Sequence, residues 1–470
     1  MPRRSPNKPK QKRNARYNPR ARRARRARRA RRTGGAVDQV EGFGAAFAQL
    51  FGGRELPVKP RGRGRPPRVP LTALFQALVF HVMHRVGTLG EHFAILFSDA
   101  LGESGSSERR QGVPWQVFAE LMQRALRPLA QVRRHPECFW RGWRLLAVDG
   151  IQFSLYNTPQ NKKLRKAKTR RGRAAFAKIV TSVLLEVGLH NPLAAAIGHD
   201  GRSEWELTRS LLAQLPKRAL LLADRLYGCA AFAAQALDAC QRVGSHFLIR
   251  ARSNIKVRTV GGRLKDGSRL VEVPVRAKGS RKIVRHLTLR EINVKVSRPG
   301  HRTQHVRLWT TLLDPATAPA LEVSKLYAQR WEHELYYREV KRVLRKGELL
   351  NSYTVETAAQ EIAALVLASA LIARERMRAA AGAEPVLRIS FAKTLELLRS
   401  LWLVFALGDD LLTEEQKQEL LTRFYEQARR SATPPQRARS CPRAVRQPVS
   451  KWPRLIKNQS DHGPAVFKIA

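Results

Sequence analysis

Apolar residues between positions 144 and 252 fall into short runs that are typical of buried strands. These runs predict five strands, at 144–150, 177–188, 193–199, 218–224 and 246–252. Helical spacing of apolar residues predicts one helix before the fourth strand and one after it. The first and fourth runs end at Asp149 and Asp224. Because both runs are fully apolar, they are predicted to be central strands whose aspartates meet at neighbouring strand ends.

The pattern changes on both sides of this α/β region. Residues 253–315 alternate apolar and basic positions around Gly-Gly and Asp-Gly turns, which predicts an antiparallel β insertion with a basic outer face. Helical spacing dominates before residue 140 and after residue 316. His81 and His84 lie three residues apart on one such helix and are interpreted as packing residues rather than half of a metal site.

The predicted organisation has seven parts. They are a disordered basic arm at 1–36, a helical DNA-binding domain at 37–140, an α/β core at 141–252 that resumes at 316–380 after the β insertion at 253–315, C-terminal helices at 381–431 and a Pro/Arg-rich tail at 432–470.

The charge of the chain indicates a polyanionic partner. Lys and Arg number 88 against 37 Asp and Glu, a formal net charge of +51. The arm at 1–32 contributes 16 of these cations and no acid, so the remainder still carries +35 (51 minus 16). We expect the arm to contact phosphate without reading sequence, the alternative being a solubilising tail. Residues 161–173 hold eight more basic residues, and the candidate DNA contacts there are Lys162, Lys163, Arg170 and Arg171.

Cysteine usage and hydropathy limit the possible environments. The four cysteines form no Cys-x-x-Cys pair, which favours neither a disulfide framework nor a zinc site and fits a reducing compartment. No apolar run approaches the roughly 20 residues of a membrane span. We therefore expect a cytoplasmic protein without a membrane partner.

The stretch YAQRWEHELYYREVK, residues 327–341, is predicted to be a helix because it lacks Pro and Gly and is rich in helix formers. Tyr327, Arg330, Glu334 and Lys341 would lie within about 60° of one another on one face. One interpretation is a solvated charged face. The other is that Glu334 joins Asp149 and Asp224, since three carboxylates from separate elements are what metal-assisted phosphoryl transfer requires.

These residues resemble a known family. The stripe matches, without a gap, the Tyr-x2-Arg-x3-Glu-x6-Lys signature of DDE-type insertion-sequence transposases of the insertion-sequence-4 family. The family also has Asp-Gly after its first strand, as at Asp149, an Asp followed by a basic residue, as at Asp224, and a β insertion before the Glu. The resemblance implies a ribonuclease-H-like core and DNA transposition.

The resemblance also implies roles for individual residues. Asp149, Asp224 and Glu334 would be catalytic and would hold two Mg²⁺ ions, with Mn²⁺ as a possible substitute. Tyr327, Arg330 and Lys341 would bind phosphates. Partners would be terminal inverted repeats and target DNA, with a homodimer in the DNA-bound synaptic complex on the nucleoid.

Three questions stay open from sequence. Some relatives trap a flipped base with a Trp in the β insertion, and Trp309 lies near that place, although a core position is favoured for it. A catalytically inactive, transposase-derived DNA-binding protein is one alternative function. A ribonuclease-H-like nuclease without strand transfer is the other.

Overall fold

The structure is a computed structural model. It describes residues 42–52, 69–84, 86–97, 102–161, 164, 168–169, 172–173, 176–277, 279–298, 301–345, 347, 349–408, 410–433 and 466–469. The predicted basic arm, most of the predicted tail and the four candidate cations of the 161–173 loop lie outside these residues.

The described chain is a mixed α/β structure. Its helices are α1 (Phe43–Leu50), α2 (Leu71–Met83), α3 (Leu89–Phe97), α4 (Glu103–Gln111), α5 (Trp115–Ala125), α6 (Glu204–Leu211), α7 (Ala230–Arg242), α8 (Ala320–Tyr327), α9 (Glu332–Arg338), α10 (Val355–Ala380), α11 (Phe391–Gly408) and α12 (Glu414–Arg430). Its strands are β1 (Phe139–Trp140), β2 (Trp143–Leu155), β3 (Lys168–Thr169), β4 (Gly172–Arg173), β5 (Ala177–Glu186), β6 (Asn191–Ile197), β7 (Ala219–Ala223), β8 (His246–Arg250), β9 (Arg258–Arg263), β10 (Arg269–Arg276), β11 (Ile283–Arg298), β12 (His301–Thr310) and β13 (Val466–Ile469).

One large sheet organises the chain, with the strand order β6-β5-β2-β7-β8-β12-β11-β10-β9. β7 pairs with β2 in parallel, and β8 pairs with β7 in parallel, whereas β5 and β6 are antiparallel neighbours on the other side of β2. The five strands predicted between 144 and 252 are all present in this half of the sheet. This mixed sheet with helices on its faces is consistent with a ribonuclease-H-like core.

The antiparallel strands β9 to β12 extend the same sheet, because β12 pairs with β8. A further strand, β13, pairs with β11. The Pro/Arg-rich tail predicted at 432–470 therefore contains a strand at 466–469, which the sequence did not predict. Phe467 and Ile469 pack against the apolar cluster that covers this part of the sheet, which explains the strand.

The prediction that the first strand ends at Asp149 is also wrong. β2 continues to Leu155, because Ile151, Phe153 and Leu155 alternate with polar residues and are all buried. Pairing with β7 does stop at Val148, opposite Ala223, while pairing with β5 continues along the rest of β2. Asp149 thus lies inside a long strand, one residue beyond Val148, the last residue of β2 that pairs with β7.

The two faces of the sheet bury different helices. On one face, apolar side chains of β2 and β7 pack with α6 and α7. On the other face, Leu145 and Ala147 of β2 pack with α8. Because side chains alternate along a strand, Asp149 continues the series of Leu145 and Ala147 and lies on the α8 face.

The long helix α10 is the centre of the helical part. Helices α1, α2, α4 and α5 contact it, and residues Glu41–Ala470 cluster as one compact unit. Among the described helices, α10 alone has the length and apolar composition of a membrane span, but 89% of that apolar window is buried inside the protein. Its apolar surface is therefore already covered by the rest of the chain.

Trp309 is a core residue, which confirms the favoured interpretation. Its side chain is fully buried, and its indole Nε1 donates to Oε2 of Glu291 at 3.0 Å. Arg269 and Arg307 also donate to this carboxylate, which is itself fully buried. Burial alone would raise the pKa of Glu291, but the hydrogen bonds from these three side chains hold it below its ordinary value of 4.5.

We expect Glu291 to make the fold acid-sensitive. A carboxylate whose pKa is depressed by folding stabilises the protein above its unfolded pKa, and this contribution is lost as the pH falls below about 4.5. Glu291→Gln should therefore lower the free energy of unfolding at pH 7 and flatten its decline below pH 4.5. Urea unfolding of both proteins between pH 3.5 and 7 measures this. Parallel curves for wild type and variant would show that Glu291 does not contribute.

Candidate active site

The helix predicted at 327–341 is present but changes its hydrogen-bonding pattern three times. α8 ends at Tyr327, a 3₁₀ turn covers Ala328–Trp331, α9 follows, and Glu339–Arg345 is π-helical. In a 3₁₀ turn, residues three apart lie in line, so Tyr327 and Arg330 point the same way. Single π-helical turns are rare in proteins, but those that occur are frequently found at functional sites.

The Tyr–Arg–Glu–Lys stripe of this segment lies over the adjacent strands β7 and β2. The Tyr327 hydroxyl donates to the carbonyl oxygen of Ala223 at 3.3 Å, and Arg330 Nη1 donates to Oδ2 of Asp149 at 3.4 Å. Further along, Lys341 Nζ lies 5.8 Å from the centroid of the Phe153 ring. Tyr327, Arg330 and Lys341 therefore face the sheet. The Glu334 side chain is 40% exposed and contacts Arg330.

The three candidate carboxylates surround Arg330. Asp149 and Asp224 directly follow the last paired positions of the parallel strands β2 and β7, so they are neighbours on adjacent strands. Glu334 Oε1 accepts from Arg330 Nη2 at 3.0 Å, and the same guanidinium bonds Asp149. No group of three His, Cys, Asp or Glu side chains within the described residues is spaced as metal ligands. The structure thus gathers these carboxylates on one face, with a guanidinium between them.

The buried carboxylates on this face of the sheet favour a positive charge beside them. Burial raises the pKa of Asp149 to about 7, and the neighbouring carboxylates of Glu204 and Asp224 add to the rise. The Gly150 N–H and Arg330 oppose it. A carboxylate with a raised pKa binds cations well, because a nearby positive charge restores its ionised form.

The carboxylate oxygens of Asp149, Asp224 and Glu334 are hard ligands of the kind that Mg²⁺ and Mn²⁺ prefer. Around Asp149, the negative charges of Glu204 and Asp224 act against the single positive charge of Arg330. By donor chemistry and by charge, these residues fit a divalent cation.

Two contacts near Asp149 were not found from sequence. Tyr337 donates its hydroxyl to the backbone carbonyl of Asp149 at 2.6 Å. On the opposite face, Glu204 accepts from the Tyr227 hydroxyl at 2.8 Å and lies against Gly150, where an added Cβ would come within 2.1 Å of the Glu204 carboxyl carbon. The Asp-Gly dipeptide is the signal that was available, since a Gly inside a strand often marks a close approach.

A buried histidine anchors the Glu334 segment. His190 follows β5 in a turn with φ of 52°, and its side chain is 4% exposed. Its Nδ1 contacts Oε2 of Glu339 at 2.7 Å, and its Nε2 contacts Oε2 of Glu332 at 3.1 Å. Arg376 of α10 bonds the other oxygen of Glu339 at 3.3 Å. This cluster connects both ends of α9 to the sheet and to α10.

The cations of the basic loop cannot be placed at this site. Lys162, Lys163, Arg170 and Arg171 lie outside the described residues. The short strands β3 and β4 within the loop pair with each other in antiparallel orientation.

Comparison with known proteins agrees with the geometry. Residues 140–371 match the family model described as transposase DDE domain. The chain is 28% identical over 274 residues to the transposase InsG for insertion sequence element IS4 of Escherichia coli (strain K12), an alignment that covers 56% of this chain and 60% of that protein. The chain thus matches less than two thirds of this relative. These matches confirm the resemblance inferred from sequence: residues 140–371, which carry Asp149, Asp224 and Glu334, match the transposase DDE domain, and the chain is similar to a transposase of the insertion-sequence-4 element.

Proposed function

We propose that this chain is a DNA transposase that cuts and joins phosphodiester bonds at Asp149, Asp224 and Glu334. The observation that carries the proposal is the position of Arg330, whose guanidinium bonds both Asp149 and Glu334 beside Asp224. Residues from two strands and one helix thereby meet at one point of the sheet. The proposed substrates are the terminal inverted repeats of an insertion sequence and a target DNA, held by a homodimer.

The residues of the site divide the chemistry between them. Asp149, Asp224 and Glu334 would hold two Mg²⁺ ions. When bound, such ions lower the pKa of an attacking hydroxyl and stabilise the leaving oxygen. Arg330 and Lys341 would contact phosphate oxygens, and Tyr327 would help to orient the strand for in-line attack.

Two reactions would use this site in turn. In cleavage, a water oxygen bonds to phosphorus, the bond to the 3′ oxygen breaks, and that oxygen leaves as a 3′-OH. In joining, this 3′-OH attacks a phosphorus of target DNA and displaces the 3′ oxygen of the target strand. Both reactions exchange one P–O bond for another, so one arrangement of carboxylates serves both.

The test is cleavage and joining of DNA duplexes taken from the inverted repeats that flank the coding region. We expect purified full-length protein to cut these duplexes in Mg²⁺ and not in a chelator, and to join a pre-cut 3′-OH end to plasmid DNA. Cutting without joining would favour a nuclease without strand transfer. Specific binding without either reaction would favour an inactive, transposase-derived DNA-binding protein.

A further inference from the structure

Two exposed tyrosines stack on each other beyond the end of strand β2. Tyr156 is 38% exposed and Tyr353 is 62% exposed. Their ring centroids lie 5.3 Å apart, with an angle of 20° between the ring planes. We call this pair the tyrosine platform. Large aromatic side chains left in water are candidates for contact with a partner, because covering them removes apolar surface from water.

The backbone on both sides of the platform is fixed. Thr158 donates its hydroxyl to the carbonyl oxygen of Tyr353 at 2.7 Å, and the Asn161 side-chain amide donates to that of Tyr156 at 3.0 Å. Leu350 N donates to the carbonyl oxygen of Ser154 at 2.9 Å, which ties the segment before Tyr353 to the end of β2. The rings are therefore exposed and already ordered, so a ligand would lose little free energy in ordering them.

A group of cations lies between the platform and the carboxylates. Lys341 lies over Phe153, and its pKa is lowered by burial and then by the nearby charges of Lys178 and Arg345. Arg345 is also close enough to Tyr156 for an electrostatic interaction. The charges that act on Lys341 are those of Lys178 and Arg345, and both are positive. Glu361 offsets part of the charge of Arg345. The three neighbouring cations still outnumber this acid, so together they attract an anion.

These features lie in sequence along one strand. Arg330 contacts Asp149, Lys341 contacts Phe153 four residues later, and Tyr156 follows the last residue of β2. From Asp149 to Tyr156 is seven residues, or about 23 Å at roughly 3.3 Å per residue. That span equals up to about seven nucleotides of a stacked DNA strand at about 3.4 Å each.

We propose that the tyrosine platform and the cations Lys178, Lys341 and Arg345 form a binding site for an unpaired DNA strand that leaves the site of the three carboxylates. The cations hold the phosphates, and a base stacks on the platform. This inference rests on the proposed function for its substrate. It adds a direction for the strand and four contacts, Tyr156, Tyr353, Lys178 and Arg345, outside the transposase signature.

An unpaired strand fits this surface better than duplex DNA does. Bases within a duplex already stack on their neighbours and offer only their edges, whereas an unpaired base has a free face for an aromatic ring. Stacking accepts any base, so the site would not read sequence. The platform lies beside the cations, as it must if one strand is to use both.

The experiment measures the affinity of full-length protein, in chelator, for two DNAs. One is a terminal-repeat duplex with a single-stranded extension of eight nucleotides at the cleavage position, and the other is the same duplex fully paired. We expect Tyr353→Ala to weaken binding of the extended DNA about tenfold, as for the loss of one stacked base, and to leave the paired duplex unchanged. Tyr353→Phe keeps the ring and should bind as wild type does.

A second set of variants tests the cations. Lys178→Ala should reduce the slope of log affinity against log salt for the extended DNA by about 0.7, the value for one contact to a single-stranded phosphate. Lys393→Ala removes an exposed lysine of α11, far along the chain from this surface, and serves as the matched control with an unchanged slope. A fluorescent 2-aminopurine in the extension should be quenched by wild type and by Tyr353→Phe, but less by Tyr353→Ala.

The outcomes separate this inference from the proposed function. Equal losses of affinity for both DNAs, or no loss for either, would overturn the inference. The proposed function would still stand if the wild type cuts and joins DNA. A wild type that neither cuts nor binds terminal-repeat DNA would overturn the proposed function and the inference with it. Thermal melting of each variant shows whether it is folded before its affinity is compared.

Discussion

Asp149→Asn is expected to reduce DNA cleavage at least about a thousandfold, the upper range for losing one electrostatic contact at a reacting centre. The amide keeps the shape of the side chain and removes the negative charge that a divalent cation requires. Glu334→Gln should have a similar effect, because its carboxylate stands on the other side of Arg330. Single-turnover cleavage of a terminal-repeat duplex in Mg²⁺ measures the loss, and a gel-shift titration should show that DNA binding is kept.

Glu322→Gln is the matched control for these variants. Glu322 lies on α8, its side chain is 48% exposed, and it pairs with Arg141 at the surface. Exposed ion pairs of this kind contribute about 0–1 kcal/mol, so both stability and cleavage should stay near wild type. Cleavage by Asp149→Asn at the rate of Glu322→Gln would remove Asp149 from the catalytic group.

His190→Ala is expected to lower the free energy of unfolding by about 3–5 kcal/mol, the range for removing one partner from a buried ionic cluster. The substitution removes the contact that His190 makes with Glu332 and one of the two ion pairs of Glu339, whose pair with Arg376 remains. Because these two glutamates flank α9, we also expect slower cleavage through displacement of Glu334. Urea unfolding and single-turnover cleavage measure the two effects, and His305→Ala, at an exposed position on β12, is the control.

The pH dependence of this effect follows from the pKa of His190. Burial alone would lower that pKa, but Glu339 and Glu332 raise it above its ordinary value of 6.5. A histidine whose pKa is raised by folding contributes stability that is complete below pH 6.5. This stability is lost as the pH rises through the pKa that the histidine has in the folded protein. The gap between wild type and His190→Ala should therefore narrow above pH 6.5. A gap that widened with pH would show that the imidazolium is not the stabilising form.

Much of the sheet and the face of the Glu334 helix could be predicted, because both depend on local periodicity. The run before Asp149 predicted a central strand, and the spacing of Tyr327 and Arg330 predicted a shared direction. The length of β2 was missed although its signal was present. Ile151, Phe153 and Leu155 alternate with polar residues, but Gly150 was interpreted as the end of the strand. In the structure this Gly makes room for Glu204.

Other features depend on contacts between distant parts of the chain and leave no local pattern. His190 and Glu339 are separated by 149 positions and meet only when α9 docks on the sheet. The third histidine beside His81 and His84 is His92, whose Nδ1 lies 2.9 Å from that of His81, and it comes from the next helix. The tyrosine platform likewise joins residues 156 and 353 across the fold. Periodicity cannot reveal pairs of this kind, because it reports only on neighbours along one element.

The segment from Tyr327 to Lys341 is held at three points on two adjacent strands, by Ala223 of β7 and by Asp149 and Phe153 of β2. Its turns are 3₁₀, α-helical and π-helical in succession, so each residue added or removed would rotate everything beyond it. The constraint on this segment is therefore on its length as well as on its chemistry. An exposed position such as Trp331, which is 56% exposed, has room for exchange, whereas a one-residue deletion between Arg330 and Lys341 would move Lys341 away from Phe153 of β2. In evolutionary terms, substitutions can accumulate at the exposed positions of this segment, whereas insertions and deletions would break its contacts with the sheet.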